Sequence, residues 1–572
     1  MIALRDAFDL VERGELGPLF SDRIEVPERF NWAREIFEER HARRTPNRPA
    51  LLWADDRGHE LSLTYREFVG AGNRLLNLLR RLGLKEKQPL FVMLPVYPEV
   101  WLSYYAAIKG GFVLVPAATI LLPSDLAYRF RQLRPGAVVA DPVSAEKIDQ
   151  AERTTGEPIP IKLIVGGERP GWTSVDASRT EPTEASAAVT RTADPLFLFF
   201  TSGTTGLPKL VTHTHASYPI GHLSTSAWIG VRPDDVHSNI SQAGWAKFAW
   251  SSFFAPWNVG ATVFSLYYTG RFDPRHQLKA LQDHRVTTFC APPTVWRLFI
   301  LEDLSKYRFH FRECVSAGEP LNSEVIDAWR KGTGVTLRDG YGQTESTLMV
   351  GNFPKGEVTP GSVGWPSFLY DVRVVDPNGV EAALGIEGDI AVRLTPRPPG
   401  LFAGYLGASP EVTKKSFRGD WYLTGDRAYR DAEGRFWFVG RADDVIKSSD
   451  YRIGPFEVES ALVEHPAVAE AAVVGSPDAI RGALVKAFVI LKPGQKPSPE
   501  LAAEIFLFSR TKLAPYKIPR IIEFCPELPK TISGKIRRTD LRATEVEARG
   551  QGARRPYEFR YSEVVKTEAA RP

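Results

Sequence analysis

The sequence predicts an α/β protein with a large N-terminal domain and a smaller C-terminal one. Its 572 residues are too many for a single hydrophobic core, so at least two domains are expected. Up to about residue 370, helical patterns alternate with short apolar strands, which is typical of largely parallel sheets covered by helices. Between about residues 356 and 440, short strands and turns predict a small β-barrel-like subdomain, and an α+β pattern follows from Arg441.

The individual elements follow from the spacing of apolar residues. In chain order they are helix 71–82, strand 90–94, helix 100–108, strands 112–115, 370–375, 389–394 and 436–439, helix 456–463, and strands 471–474 and 485–491. The residues beyond about Ala543 are charged and lack a long apolar run, so we expect a loosely ordered tail. We therefore expect an N-terminal domain at 1–440, a C-terminal domain at 441–545 and a tail at 546–572.

Composition excludes several classes of protein. The apolar share of 43% and the charged share of 24% are ordinary for a globular protein. A net charge of +4 over this length gives no indication of nucleic-acid binding. Cys290, Cys314 and Cys525 are far apart, which argues against a disulfide framework or zinc site and fits a reducing compartment. His213 and His215 lack a third nearby ligand, so a metal site is the less favoured interpretation.

No segment is predicted to cross a membrane. The most apolar region, 101–122, is interrupted by Lys109, Gly110, Gly111 and Pro116. The acidic residues at the N-terminus argue against a signal or transit peptide; they are Asp6, Asp9, Glu12 and Glu15. We expect a cytoplasmic protein with no integral membrane association and no nucleic-acid partner.

Residues 199–209 are the most informative run: Phe-Phe-Thr-Ser-Gly-Thr-Thr-Gly-Leu-Pro-Lys. A strand-like apolar stretch leads into a loop whose backbone N–H groups, hydroxyls and lysine can surround a phosphate. The loop is not a Walker A motif, because Pro208 precedes the lysine and Leu210 follows it. Taken alone, a polar surface turn is an equally good interpretation. The candidate phosphate-binding residues are Thr201, Ser202, Gly203, Thr204, Thr205, Gly206 and Lys209.

Five further motifs follow this loop in the chain. They are Ser316-Ala317-Gly318-Glu319-Pro320, Tyr341-Gly342-Gln343-Thr344-Glu345, Tyr422-Leu423-Thr424-Gly425-Asp426, Gly440-Arg441-Ala442-Asp443-Asp444 and Pro529-Lys530-Thr531-Ile532-Ser533-Gly534-Lys535. In this order the set resembles the acyl-adenylate-forming superfamily, and the resemblance covers about residues 30 to 542. The stretches 244–247, 250–252, 451–459 and 514–517 are most similar to medium-chain acyl-CoA synthetases.

The resemblance implies a site that joins a carboxylate to the α-phosphate of ATP. Thr344 would bond the α-phosphate, Glu345 would bind Mg²⁺, and Lys535 would bridge the two reacting anions. Asp426 would chelate the ribose hydroxyls, and Arg441 would contact ribose or phosphate. The other implied nucleotide-binding residues are Gly318, Glu319, Pro320, Asp339, Gly340, Tyr341, Gly342 and Gln343.

The resemblance also implies two half-reactions in one site. The mobile C-terminal domain would rotate at Asp443, which withdraws Lys535 and opens a channel for CoA. The implied channel residues are Ser449, Asp450, Tyr451, Arg452 and Arg481. The chain departs from the family at Asp450, where the medium-chain enzymes carry a glycine beside the CoA arm. A larger, negatively charged residue there puts thioester formation in doubt but leaves adenylation untouched.

The acyl pocket is predicted in part. Acetyl-activating relatives carry a tryptophan in place of Gly342, so a glycine implies room for a longer or bulkier acid. Trp245 and Phe248 are candidate pocket walls. Medium-chain fatty acids are the leading expected substrates, with branched, hydroxylated or aromatic acids as rivals. The alternatives are an adenylating enzyme that loads a carrier protein or forms thioesters poorly, and an inactive nucleotide-binding homologue. A homodimer is one expected assembly.

Overall fold

The structure, a computed structural model, describes residues 1–201, 208–319, 321–449, 451–530 and 535–565, apart from the side chains of Pro410 and Val412. This chain divides into two compact units. The first unit contains Met1–Leu321, Val325–Val372 and Val392–Asp420. The second contains Asn322–Glu324, Arg373–Ala391 and the chain from Trp421 onward. The domain boundary expected at residue 440 stays a prediction.

The first unit is built on two large sheets, as the alternation of helices and strands predicts. Within the described residues, one sheet has the order Gly404–Leu406, Lys209–Thr214, Pro195–Thr201, Val113–Pro116, Pro89–Met93, Ala137–Ala140, Ile161–Ile164 and Thr173–Ser174. The second has the order Trp365–Pro366, Leu348–Gly351, Leu337–Gly342, Glu313–Ala317, Thr288–Ala291, Val236–Asn239, Thr262–Tyr267, Pro49–Asp55 and Glu60–Thr64. The central strands of both sheets are parallel and buried. A short parallel pair, Ile2–Ala3 with Ile24–Glu25, lies apart from them.

Helices cover these sheets. Before residue 421 the helices and helical turns are Leu4–Arg13, Gly17–Ser21, Ala33–Ala42, Tyr65–Arg81, Pro98–Gly110, Pro123–Gln132, Pro142–Thr155, Val175–Thr180, His222–Ile229, Ala246–Ala249, Trp250–Phe254, Ala255–Asn258, Pro274–Asp283, Pro293–Phe299, Leu304–Lys306, Ser323–Thr333 and Pro410–Ser416. The helix predicted at 71–82 begins earlier, at Tyr65, because Thr64 and Glu67 form a reciprocal capping box there. The α/β class is confirmed.

The second unit contains most of a small sheet, whose last two strands are antiparallel, together with a hairpin and an α+β part. The first sheet pairs Val372–Val375 with Gly388–Arg393, Gly388–Arg393 with Trp421–Arg430, and Trp421–Arg430 with Phe436–Arg441. The short strand Phe417–Arg418, which precedes Trp421, belongs to the first unit. The hairpin joins Ile446–Ser448 to Tyr451–Ile453. The last sheet has the order Val468–Asp478, Gly482–Leu491, Ile521–Phe524 and Glu558–Arg560. The helices are Pro455–Val463, Pro499–Lys512, Arg538–Gly550 and Tyr561–Val564.

The prediction of a loosely ordered tail is wrong for residues 546–565, whereas residues 566–572 lie outside the described part. The helix Arg538–Gly550 continues past residue 546, and the strand Glu558–Arg560 pairs with Ile521–Phe524. Although the segment lacks a long apolar run, buried charges help to hold it in place, and Phe559, Val564 and Val565 pack against the core of this unit. Glu545 and Glu558 are both buried and accept hydrogen bonds from Lys486.

Candidate active site

The strands on either side of the predicted phosphate loop fix its two ends. Pro195–Thr201 and Lys209–Thr214 are antiparallel, and their last paired residues are Thr201 and Lys209. Residues 196–200 are buried, so the pair is anchored in the core of the unit. Thr201 and Lys209 therefore face each other at the mouth of the loop. The other predicted loop residues lie outside the described part of the chain; they are Ser202, Gly203, Thr204, Thr205 and Gly206.

The turn that carries Thr344 and Glu345 is held by a buried histidine. Nε2 of His213 lies 2.6 Å from the Thr344 carbonyl oxygen, and Nδ1 lies 2.9 Å from Oγ of Ser217. A carbonyl only accepts hydrogen bonds, so Nε2 carries the proton and Nδ1 accepts from the serine. Burial, opposed by the bond to Thr344, lowers the pKa of His213 to about 4. The ring is therefore neutral at pH 7, and the strand that begins at Lys209 is tied directly to the turn.

A third segment, which contains Tyr405, contacts both the strand that begins at Lys209 and the turn that carries Glu345. The strand Gly404–Leu406 pairs with Lys209–Thr214, with Tyr405 opposite Val211. The Tyr405 hydroxyl donates to Oε1 of Glu345 at 2.9 Å, and Nζ of Lys209 lies 5.0 Å from the centre of the Tyr405 ring. Sequence reasoning missed Tyr405. The sequence around it reads only Gly-Tyr-Leu, and its partners Glu345 and Lys209 lie 60 and 196 positions away in the chain.

The predicted adenine loop and the strand leading to Tyr341 are neighbours in the second sheet. Glu313–Ala317 and Leu337–Gly342 are parallel, with Ser316 opposite Asp339 and Ala317 opposite Gly340. Both motifs therefore follow carboxyl ends of adjacent strands, where α/β proteins bind ligands. Gly318 has φ of +111°, a conformation that favours glycine, whereas Pro320 lies outside the described residues. The carboxylate of the loop residue Glu319 lies 3.8 Å from Arg297.

Asp339 is buried and accepts N–H bonds from Gly340 at 2.9 Å and Leu321 at 3.3 Å. Burial, which outweighs these bonds, raises its pKa to about 7. The turn after Tyr341 is closed by two bonds between Gln343 and Ser346. The Gln343 N–H donates to Oγ of Ser346 at 3.0 Å, and the Ser346 N–H donates to the Gln343 carbonyl at 3.2 Å.

The residues predicted to form the acyl pocket differ in their surroundings. A Cβ atom at Gly342 would lie 2.2 Å from the Thr347 carbonyl oxygen, so a side chain at this position would require the Thr347 backbone to shift. Trp245 is half-buried beside the core of the first sheet, whereas Phe248 is fully buried, with ring centres 4.8 Å from Trp101 and 5.8 Å from Tyr104. Packing in the core is thus sufficient to explain an aromatic residue at position 248, without contact to a ligand.

Lys247 lies between these two residues, and Nζ donates to the Ala317 carbonyl at 3.2 Å. Ala317 immediately precedes the adenine loop, so this contact links the predicted acyl-binding segment to the predicted nucleotide-binding segment. Sequence reasoning gave Lys247 no role, because a single lysine within a mixed aromatic run does not differ from a surface charge.

In the second unit, Asp426 and Arg441 come together. They are opposite each other on the strands Trp421–Arg430 and Phe436–Arg441, and Nη1 of Arg441 lies 3.3 Å from Oδ1 of Asp426. Asp426 is buried and Arg441 is exposed. The two residues predicted to contact the nucleotide therefore form one pair.

The predicted hinge residue Asp443 is exposed in a turn, and the next residue, Asp444, pairs with Arg542. Of the predicted CoA-channel residues, Ser449 donates its N–H to the Arg481 carbonyl at 2.8 Å. The ring of Tyr451 stacks on Tyr516, with centres 4.3 Å apart, and Arg452 is exposed. Asp450 lies outside the described residues.

Lys535 is exposed at the start of the last described segment, and residues 531–534 lie outside it. The chain on both sides is held: Lys530 and Ile536 form a β-bridge, and the Arg537 N–H donates to the Pro529 carbonyl at 2.8 Å. Three residues beyond Lys535, Arg538 binds both carboxylate oxygens of buried Glu459, at 2.8 and 2.6 Å.

Two further observations concern the whole chain. Among the residues that the structure describes, no helix combines the length and the apolar content needed to span a bilayer. Cys290, Cys314 and Cys525 are free thiols, and the first two are buried.

The comparisons with known proteins agree with this geometry. The sequence model of the AMP-binding enzyme family matches residues 38–406, and that of the AMP-binding enzyme C-terminal domain matches residues 457–535. The chain is 51% identical over 529 residues to 4-hydroxybutyrate–CoA ligase 1 of Metallosphaera sedula, covering 92% of each protein. It is 43% identical over 537 residues to the mitochondrial acyl-coenzyme A synthetase ACSM3 of Mus musculus, covering 91% of this chain and 92% of that protein.

Among solved structures, the chain resembles the anthranilate CoA ligase AuaEII in complex with anthranoyl-AMP. The TM-score is 0.84 at 31% identity, covering 92% of this chain and 99% of that one. The chain therefore belongs to the family of AMP-binding enzymes, and within it to the acyl-CoA synthetases, which are acid–thiol ligases using ATP and CoA.

Proposed function

We propose that the enzyme joins a carboxylic acid to ATP, releases pyrophosphate, and then transfers the acyl group of the acyl-AMP to CoA. The observation that supports this most strongly is the convergence of Lys209, Thr344 and Glu345 in the first unit, through His213 and Tyr405. Two anions must meet in the first step, so a cation and oriented hydrogen-bond donors are needed at the phosphates.

In this proposal, Lys209, Thr201 and the loop between them hold the β- and γ-phosphates, and Thr344 donates to the α-phosphate. Glu345 would hold Mg²⁺, because its carboxylate is an oxygen ligand of the kind that this cation prefers. When bound, Mg²⁺ would neutralise phosphate charge. Tyr341 and residues 318–320 enclose the adenine.

The second unit supplies the remaining groups in this proposal. Asp426 accepts hydrogen bonds from the ribose hydroxyls while Arg441 balances its charge. Lys535 neutralises the carboxylate and the α-phosphate as they react. A domain comprising residues 441–545 then rotates at Asp443, and Ser449, Tyr451, Arg452 and Arg481 line the CoA path together with Asp450.

Medium-chain fatty acids are the proposed lead substrates, with Gly342, Trp245 and Phe248 at or behind the pocket wall. Short hydroxy acids are the second candidate. The 51% identical relative is a 4-hydroxybutyrate–CoA ligase. In this chain Lys247, between Trp245 and Phe248, adds a polar side chain to the proposed pocket segment. Aromatic acids are third, because the anthranilate CoA ligase shares the fold.

A cytoplasmic location and a role in fatty acid metabolism are also proposed. The free thiols of Cys290, Cys314 and Cys525 support a reducing compartment. We also propose that the protein is a homodimer, and the molar mass from light scattering tests this.

Acid-dependent exchange of pyrophosphate into ATP, run beside detection of the CoA thioester, tests the function. The panel contains octanoate, 2-methylbutyrate, 4-hydroxybutyrate, benzoate and acetate. We expect both signals with octanoate or 4-hydroxybutyrate. Exchange without thioester would identify a carrier-loading or stalled enzyme, and no exchange with any acid would contradict the proposal.

A further inference from the structure

The position of Tyr405 follows from strand register. Tyr405 lies opposite Val211, and Lys209 lies two residues before Val211 on the same strand. Side chains two residues apart on a strand point to the same face, so Tyr405 and Lys209 are diagonal neighbours on one face of the sheet. An aromatic ring and a long lysine side chain can span that diagonal. The 5.0 Å from the ammonium to the ring centre agrees with this geometry.

The backbone around Tyr405 is fixed from two directions. The Phe402 N–H donates to the Glu345 carbonyl at 2.9 Å, and the Ala403 N–H donates to the Thr212 carbonyl at 2.7 Å. The segment thus bonds both to the turn that carries Glu345 and to the strand that begins at Lys209. The ring of Phe402 also contacts that of Tyr405, with centres 4.8 Å apart. Tyr405 therefore has little freedom to move independently of either neighbour.

The hydroxyl of Tyr405 acts on a specific atom. It donates to Oε1 of Glu345 at 2.9 Å, so it orients the carboxylate. At the same time, the ring face is occupied by Lys209, whose ammonium is attracted to the ring. One half-buried neutral side chain thus contacts both an anion and a cation that the proposed function uses.

We propose that Tyr405 is a positioning residue that sets the Glu345 carboxylate, through its hydroxyl, and the Lys209 ammonium, through its ring, for Mg²⁺ and ATP phosphates. The inference rests on the proposed function of Lys209 and Glu345. It goes beyond that function because Tyr405 contacts neither the acid nor the nucleotide in this scheme. It acts through the two side chains that do.

The test separates the hydroxyl from the ring. Tyr405→Phe removes the hydroxyl, with its bond to Glu345, and keeps the ring, whereas Tyr405→Leu also removes the ring beside Lys209. Calorimetric titration of ATP into the full-length enzyme, at a series of free Mg²⁺ concentrations, is the readout. For Tyr405→Phe we expect the half-saturating Mg²⁺ concentration to rise about tenfold, as when an outer partner of a metal ligand is lost. ATP affinity at saturating Mg²⁺ should be unchanged. Tyr405→Leu should lower that affinity about threefold as well, since the ring contact is also lost.

Tyr268→Phe is the matched control, because it removes a hydroxyl that donates to the Asp273 carbonyl at 3.1 Å in the same unit. It should leave the Mg²⁺ dependence at the wild-type value. In a Glu345→Gln background, Tyr405→Phe should have no further effect on Mg²⁺ dependence, which identifies Glu345 as the residue through which it acts.

A wild-type Mg²⁺ dependence in Tyr405→Phe would overturn the inference, as would an equal shift in the Glu345→Gln background. Failure of the proposed function itself would look different. In that case wild-type enzyme would bind no ATP at any Mg²⁺ concentration, or would form no acyl-AMP with any acid of the panel.

Discussion

The first unit buries histidines in the neutral form, whereas the second unit buries a lysine among three glutamates. In the first unit, burial lowers the pKa of His213 and His215 to about 4 and that of His41 and His237 to about 3. Burial also lowers the pKa of His222, well below its usual range. The hydrogen bonds of these rings, where the structure gives them, are to backbone carbonyls or hydroxyls such as those of Thr344, Ser217 and Thr288.

The second unit holds its C-terminal part with a network of buried charges. Nζ of fully buried Lys486 lies 2.7 Å from Glu523, 2.7 Å from Glu545 and 2.8 Å from Glu558. Burial alone would raise the pKa of Glu545 and Glu558, but hydrogen bonds, among them those from Lys486, lower both overall. The network ties the helix Arg538–Gly550 and the last strand to the sheet.

The contrast shows two ways to hold a site. In the first unit, a neutral histidine and a tyrosine hydroxyl position Thr344 and Glu345. The second unit holds the helix that begins three residues after Lys535 with buried ions, whose strength depends on every partner being present. Removing one partner or changing the pH should therefore affect the two units differently.

The largest expected effect comes from Lys486→Met, which leaves three buried carboxylates without their shared cation. We expect the second unit to lose about 3–5 kcal/mol of unfolding free energy. Hydrogen exchange of peptides from each unit, across a urea series, measures this loss. Lys496→Met, at an exposed lysine, is the control and should change the value by less than about 0.5 kcal/mol. Equal loss in both units would refute the assignment of the network to the second unit.

The next effect concerns Lys535. Lys535→Ala should slow adenylation about a hundred- to thousandfold, because a group that stabilises developing charge is lost. Thioester formation from supplied acyl-AMP should stay near the wild-type rate, since the proposed rotation withdraws this residue. Pyrophosphate exchange and single-turnover thioester assays separate the two steps. If both steps fall together, Lys535 is not specific to adenylation.

Acid should weaken the units in sequence. The folded pKa of each buried histidine lies below its unfolded value of 6.5, so the unfolded chain binds more protons below that pH. The histidine contribution to the stability of the first unit is therefore full above about pH 6.5 and falls towards pH 4, by on the order of 1–3 kcal/mol per histidine. Buried Asp339, whose pKa is raised to about 7, binds a proton in the folded state over the same range and offsets part of this loss. Glu545 and Glu558 also have lowered pKa values, so their contribution is lost only below their ordinary 4.5.

Hydrogen exchange of each unit at about pH 7.5, 5.5 and 4 checks this order. His465 in the second unit also has its pKa lowered by burial, so a small early loss is expected there. A second unit that loses more stability than the first between pH 6.5 and 5 would contradict the comparison.

The smallest expected effect is that of Asp450→Gly. Asp450 follows Ser449, whose φ of +52° already places the chain in the left-handed region that favours glycine. Removing a carboxylate beside a thiol that must ionise should raise the thioester rate about two- to fivefold, the size of an exposed charge interaction. Pyrophosphate exchange should not change. Equal single-turnover rates from the same acyl-AMP would show that the aspartate is tolerated.

The sequence was sufficient for the elements whose signal is local. The predicted strand 90–94 corresponds to Pro89–Met93 and the predicted helix 100–108 to Pro98–Gly110, since apolar periodicity alone marks a buried face. The predicted helix 456–463 corresponds to Pro455–Val463. Element ends were less accurate, because caps such as Thr64 are set by single side-chain contacts.

The motifs likewise identified the candidate site residues, but not the residues that hold those side chains in position. Tyr405 and His213 carry no local signal, because their partners lie 60 and 131 residues away. The ordered tail was missed because Glu545 and Glu558 resemble surface acids until the fold brings Lys486 between them.

By itself, the sequence determined the α/β class, the order of the motifs and the types of residue offered to ATP, because these depend on local pattern and residue chemistry. Tertiary structure alone decided which side chain contacts both Lys209 and Glu345, and that a side chain at position 342 would crowd the Thr347 carbonyl. Those outcomes depend on strand register and on contacts between distant segments, and no local pattern of residues encodes either.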